Sequence, residues 1–246
     1  MKNFNDVYKM VFSPIMKSKG FEYKRRIYHR MVNKKIIQML SYQTFQHQTF
    51  TIQFGIYPLC AGFEYETFMD GERLSEVFGI DEWVYNDYFQ QLPNSLAVSE
   101  KYIFPYFESC LDYGSYLENM NKLFGILFRN NKKGIPINYS MVFDLNLTLG
   151  NYKQAQESRE ASIKMKRDYF IKRWGIDSCP YAERQRDYEE MCSSYLKMKK
   201  AMEENDRKYI EEYIRSNEEK SLKSYFRNFF GIKAHDNYIK HGILPL

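Results

Sequence analysis

The clearest pattern in the chain is an alternation. Between Thr49 and Tyr57, Phe50, Ile52, Phe54 and Ile56 alternate with Thr49, Thr51, Gln53 and Gly55. A period of two with one apolar and one polar face predicts a half-buried β-strand. Thr, Ile, Phe and Tyr also suit a pleated surface. Ile36 to Thr44 sets Ile37 and Met39 on one face and Leu40 and Tyr42 on the other. A strand apolar on both faces belongs in the middle of a covered sheet. Ile27 to Val32 is a shorter strand carrying His29 and Arg30. Asn33-Lys34-Lys35 fits a tight hairpin, because Asn tolerates positive φ. Phe45 to Gln48 fits a looser turn. The stretch from Gly20 to Tyr57 therefore predicts three strands in meander order.

Elsewhere the period changes. Phe4, Val7, Tyr8, Val11, Phe12 and Ile15 follow helical spacing, which predicts a helix from Asn3 to Ser18. Asn3 caps it, Asp6 sits in its first turn, and Gly20 ends it. Pro14 inside it predicts a kink. Glu72 to Phe78 reads as a short helix closed by Gly79, and Asp81 as the cap of another carrying Trp83. Asn94 or Ser95 opens a helix to Phe104, where Pro105 breaks or kinks it. Ser115-x-x-Glu118 is a capping box, followed by Leu117, Met120, Leu123 and Phe124 on one face and a stop at Gly125.

The polar run Arg129–Gly134 places a boundary between a helix-plus-sheet unit (residues 1–128) and a helical extension (residues 129–246). Pro136 and Gly150 bracket one helix, and a second runs from Tyr152 to Trp174 with Gly175 after it. Gly150 to Ala155 resembles the start of the second helix of a tetratricopeptide unit, and no second copy follows at that period. Asp177 or Ser178, with Pro180, starts the next helix. There Tyr181, Tyr188, Tyr195 and Met202 recur at seven, with Met191 and Met198 between them, as a narrow apolar seam. Asn205-Asp206 is a turn, and Tyr209, Ile210, Tyr213 and Ile214 form the following face. Ser216-x-x-Glu219 is a second capping box, and Gly231-Ile232 a final stop. The expected fold is α+β: an antiparallel β-meander packed with a kinked N-terminal helix, then a C-terminal half of antiparallel helices.

Composition narrows this further. The 22 Tyr and 19 Phe among 246 residues exclude a disordered chain. The net charge of +5 is spread along the whole sequence, which favours a solvated surface over a nucleic-acid patch. No apolar run approaches the ~18 residues of a membrane span. The N-terminal residues lack a signal-peptide core. Cys60, Cys110, Cys179 and Cys192 form no CxxC pair. They are expected to be reduced, mostly buried thiols of a cytoplasmic protein.

Phe12-Ser13-Pro14, Lys17 to Phe21, Lys24-Arg25-Arg26, Tyr28, Arg30 and the strand ending Phe54-Gly55-Ile56 form a further set. With Gly71-Glu72-Arg73-Leu74 and Asp81-Glu82-Trp83, it resembles a family of bacterial domains of unknown function, DUF four-three-zero-four. The resemblance covers about the first half of the chain. It implies an α+β fold with one helix on the sheet. It carries over no catalytic residue, since the family has no established chemistry. Some similar domains look like immunity or accessory proteins of bacterial toxin systems.

Candidate chemistry is sparse. Lys24, Arg25, Arg26, His29 and Arg30 are the densest basic cluster. Unbroken strand alternation would put Lys24, Arg26, Tyr28 and Arg30 on one face. That face would suit phosphate or an acidic protein partner, or would simply be a charged edge that blocks unwanted pairing. His29, His47, His235 and His241 are scattered without ligand spacing, so no metal is expected. No nucleophile elbow occurs. Glu64, Glu66, Asp70 and Glu72 read as solvated, and Trp83 as core. No catalytic residue and no cofactor are expected. The functional expectation is a cytoplasmic, non-enzymatic protein-binding module of the toxin-immunity or accessory kind, with no membrane partner. The alternatives are an enzyme with a site assembled around the sheet, or nucleic-acid binding through the basic cluster.

Overall fold

The structure, a computed structural model, describes residues 3–46, 48–63, 72–130, 138–175 and 182–231. The element order is α1 (Phe4–Ser18), β1 (Glu22–Lys24), β2 (Ile27–Val32), β3 (Ile36–Phe45), β4 (Thr49–Pro58), β5 (Glu72–Arg73), α2 (Leu74–Phe78) and β6 (Trp83–Val84). Six further helices follow: α3 (Tyr88–Ser109), α4 (Tyr113–Asn130), α5 (Tyr139–Thr148), α6 (Tyr152–Trp174), α7 (Ala182–Glu203) and α8 (Arg207–Phe229). The fold is α+β. The sheet is antiparallel, in the order β1-β2-β3-β4-β5, with β6 also paired to β4.

The three expected strands are present. Asn33 (φ 51°) and Lys34 (φ 55°) occupy the left-handed region, as a type I′ hairpin requires. Phe50, Ile52, Phe54 and Ile56 are all buried. The opposite side of β4 is not solvated as expected: Thr51 and Tyr57 are buried too. The reason is a second layer. Phe4 and Tyr8 of α1 contact Phe50 and Tyr42, and Phe107 of α3 contacts Phe54, so α1 and α3 cover one face. Tyr225 and Phe229 of α8 pack on His29, on the other face. A strand between two helical layers has no polar side to show.

Several boundaries differ from the sequence reading. Trp83 lies on a short strand beside Phe50 and not on a helix. Pro93 and Pro105 are both inside the continuous α3. Each removes one backbone donor without ending the helix, because packing of Leu92, Ile103, Phe104 and Phe107 outweighs the lost bond. Asp112 caps α4: its Oδ1 accepts from the Ser115 N–H at 2.8 Å, so Ser115 is not the cap. The backbone of α4 continues past Gly125 to Asn130. Ser216 lies in the middle of α8, a single 23-residue helix capped by Asp206. The expected starts at Pro136 and at Asp177, Ser178 and Pro180, like Tyr181, Glu64, Glu66 and Asp70, fall outside the described residues.

The two expected halves share a core. Leu222, Tyr225, Phe226 and Phe229 of α8 and Met141 and Leu145 of α5 belong to the same buried cluster as the sheet. A smaller cluster joins Phe143 and Leu147 of α5, Ala155 of α6, Met198 and Met202 of α7, and Ile210 of α8. Ala155 is fully buried, as the close packing of α5 against α6 demands.

Candidate functional site

The basic hairpin does not form the face that alternation predicts. Lys24 pairs with Ile27 and Tyr23 with Tyr28, so Arg25 and Arg26 are the two central residues of a tight turn. Both have positive φ, 50° and 69°. The chain reverses there, and counting parity straight through the turn inverts the answer. Lys24 shares a face with Ile27 and His29, while Tyr28 and Arg30 point to the opposite one. Arg26 stands exposed at the tip.

Tyr28 and Arg30 are structural. Tyr28 is fully buried, and its hydroxyl bonds with the Ser13 hydroxyl at 2.8 Å under α1. Burial pushes its pKa up to about 12. Arg30 is half-buried. Its Nε donates to Gln38 Oε1 at 2.8 Å, its Nη1 donates to the Lys19 carbonyl at 2.5 Å, and its guanidinium lies 4.5 Å from the Phe21 ring centre. Gln38 continues the network by donating to the carbonyls of Phe107 and Cys110. Lys24 sits with its ammonium 5.7 Å from the centre of the Phe230 ring. His29 is enclosed by Phe229, Phe230 and Tyr225, with Nδ1 2.8 Å from the Tyr225 hydroxyl and a buried Nε2 that has no hydrogen-bond partner among the described residues.

Two other places carry more potential. The first is the C-terminal half of α6. From Lys164 to Arg173 it holds five basic residues (Lys164, Lys166, Arg167, Lys172, Arg173) against one acidic residue, Asp168. All six are exposed. Among them Met165, Tyr169 and Ile171 are also exposed, at 40%, 52% and 44%. Met165 and Tyr169 are neighbours at i and i+4 on the helix surface. Phe170 faces inward and contacts Tyr188 of α7. One side of this helix segment is thus anchored, and the rest presents cations around apolar side chains.

The second is a cavity of about 350 Å³ between Ala61–Phe63, α5 and α8. Asn138, the N-cap of α5, lines it with Ser140, Met141 and Asp144 of that helix, and Lys220 lines it from α8. Asp144 is buried (6% exposed), and its Oδ1 accepts from the Tyr213 hydroxyl at 2.9 Å. Burial raises its pKa to about 7, against the opposing pull of the Tyr213 hydrogen bond and the Arg159 charge. Arg159 donates from Nη1 to Ser140 Oγ at 3.2 Å and stacks over the Phe143 ring, while its buried Nε has no hydrogen-bond partner among the described residues. The sequence did hold a signal for this place: Asp144 and Asn146 interrupt an otherwise apolar run in Met141-Val142-Phe143-Asp144-Leu145-Asn146-Leu147. A polar residue inside an apolar helix invites the question of what satisfies it.

Among the described residues there is no group of three or more His, Cys, Asp or Glu placed to hold a metal, and no helix long and apolar enough to cross a membrane. Cys60, Cys110 and Cys192 are free thiols, the first two buried. Comparison with protein-family models, with curated proteins and with solved structures finds no match to the chain.

Proposed function

We propose that this protein is a non-enzymatic binding module for an acidic protein partner, and that the partner docks on the distal half of α6. The observation that carries the reading is the exposed segment Lys164–Arg173, with its five cations around Met165, Tyr169 and Ile171. Apolar and aromatic side chains give contact area, and the surrounding cations give steering and selection against basic partners. The expected acidic partner thus keeps its chemistry and moves from the β1–β2 hairpin to α6, because Tyr28 and Arg30 are held inside the fold. The free, buried thiols Cys60 and Cys110 fit a reducing compartment, so the same reading places the protein in the cytoplasm. The resemblance of the first half to the family of bacterial unknown-function domains supports an immunity or accessory role.

Capture from the native host with a cleavable crosslinker tests this. The expected result is one acidic protein, crosslinked to Lys164, Lys166 or Lys172, whose purified form rebinds and is released by raised salt. Preferential retention of an oligonucleotide over any protein would replace this reading with nucleic-acid binding.

A further inference from the structure

Beneath the β1–β2 turn, hydrogen-bond donors outnumber acceptors. We propose that this place binds a phosphate group, held by the Arg26 guanidinium and by the hydroxyls of Tyr8, Tyr23 and Tyr42. The sheet register brings these groups together. Tyr23 pairs with Tyr28, and Tyr28 with Leu40. Directly paired residues share a face, and Tyr42 has the parity of Leu40, so Tyr23, Tyr28 and Tyr42 all stand on the side that α1 covers. Tyr8 of α1 packs among them, its ring centre 4.8 Å from that of Tyr42, 5.6 Å from Tyr28 and 6.4 Å from Tyr23. Continued from Tyr28 into the turn, the β2–β3 register sets Arg26 beside Tyr42. The Arg26 charge acts on the hydroxyls of both Tyr23 and Tyr42.

The surplus of donors selects the ligand class. Tyr8 is fully buried, and its hydroxyl has no hydrogen-bond partner among the described residues. That hydroxyl feels the hydroxyls of Tyr28, Tyr23 and Tyr42, so it faces the same cluster. Tyr28 is served by Ser13 and the Lys9 carbonyl. Tyr23 donates to Asn5 Oδ1 at 2.5 Å, and Tyr42 reaches the same oxygen only at 3.5 Å. Arg26 makes no hydrogen bond or ion pair among the described residues. Three hydroxyls and a guanidinium thus share one amide oxygen. A buried donor left unpaired is costly, so the missing partner is an acceptor of several hydrogen bonds. A phosphate group supplies that many oxygens and matches the guanidinium fork. The Lys9 ammonium, 5.4 Å from the centre of the Tyr23 ring, adds a second cation at the rim. Burial pushes Tyr23 up to about 12 and raises Tyr8 and Tyr42 as well, so at neutral pH each hydroxyl keeps the proton it would donate.

The backbone supports a role for Arg26. Its φ of 69° lies where Gly and Asn are favoured, yet a long cation occupies the position. Strain of this kind collects at binding sites, where the surrounding structure holds it. Stability and binding then oppose each other at two residues. Arg26→Gly relieves the turn and removes the cation. Tyr8→Phe removes an unpaired buried hydroxyl, which favours the unliganded fold, and removes a donor to the ligand. Purely structural roles predict no change in binding from either substitution.

The test is calorimetric titration of the full chain with sodium phosphate and with glycerol 3-phosphate, at fixed pH and ionic strength. Acetate and chloride serve as controls. The expected result is saturable binding of at least one phosphate compound, at least about tenfold tighter than either control. Tighter binding of inorganic phosphate assigns the free ion, and tighter binding of glycerol 3-phosphate assigns a monoester. Without phosphate, Arg26→Gly and Tyr8→Phe should each melt at or above the parent temperature. Arg26→Gly should lose about tenfold or more in affinity, and Tyr8→Phe about fivefold or more. No saturable binding of either phosphate compound, acetate binding equal to both, or full affinity in either folded variant would overturn the proposal. None of these outcomes bears on the α6 surface, since Lys164–Arg173 is left intact in both variants.

Discussion

His29 of β2 and Tyr225 of α8 meet across 196 residues of chain, with Nδ1 2.8 Å from the hydroxyl. The imidazole also lies 4.0 Å, centre to centre, from the Phe229 ring. This contact fastens α8 to the sheet and does so with a group that titrates. Burial, and secondarily the Lys24 charge, lower its pKa from 6.5 to about 3. The folded state therefore holds the neutral ring, while the unfolded chain takes up a proton below pH 6.5. The stabilisation is complete above pH 6.5 and is lost as pH falls from there toward 3, by roughly 1.4 kcal/mol per pH unit at most. Urea unfolding between pH 6.5 and 5 should show this decline in the parent and a flatter profile in His29→Phe. Equal slopes for the two would show that His29 is not the responsible group.

Arg30 and Arg26 are separated by four positions and should respond oppositely. Arg30→Ala removes two hydrogen bonds and a stacked guanidinium, and leaves Gln38 short of a partner. A loss of about 1–3 kcal/mol is expected. Arg26→Gly relieves a positive φ in an exposed turn and should raise stability by up to about 1 kcal/mol. Thermal melts of the two variants check both signs.

Phe54 lies 2% exposed in the centre of β4, between Phe78, Tyr106 and Phe107. Phe54→Ala should cost about 3–5 kcal/mol in urea unfolding. A loss under about 1 kcal/mol would mean that the strand does not pack as described.

Thiol chemistry gives a further check. Burial pushes Cys110 up to about 11 and Cys60 higher, so both are protonated and shielded in the folded state. Alkylation without reductant should be slow at these two and reach all four cysteines, Cys179 and Cys192 included, once the chain is unfolded. Mass spectrometry that recovers a stoichiometric disulfide would contradict both this and the cytoplasmic placement.

Much of the fold was legible because local signals and tertiary packing agree. Asn3 caps α1 through the Asp6 N–H at 3.0 Å, and Gly79, Gly150, Gly175 and Gly231 end their segments at positive φ. The sequence misled where packing overrode a local rule. Pro93 and Pro105 persist inside α3, and Ser216 continues α8, because buried faces on either side hold those helices together. Arg25 and Arg26 hid a turn, since neither residue type favours positive φ. That one hidden turn dismantled the expected basic face. The α6 surface was not legible, and of the Asp144 cavity only the polar interruption at Asp144 and Asn146 was, for different reasons. The first looks like any solvated helix until Phe170 shows which side is anchored. The second is assembled from residues as distant as Gly62, Asp144 and Lys220.

The central claim is that the basic half of α6 receives an acidic partner. The measurement is the association rate of the purified, captured partner, at rising ionic strength, with the parent and with the triple variant Lys164→Glu, Lys166→Glu and Lys172→Glu. These positions are exposed, so the variant should fold and melt within a few degrees of the parent. The predicted result is fast association for the parent that slows steeply with salt, and at least about tenfold slower association for the variant that no longer slows as salt rises. Equal rates and equal salt dependence for the two folded proteins would contradict it.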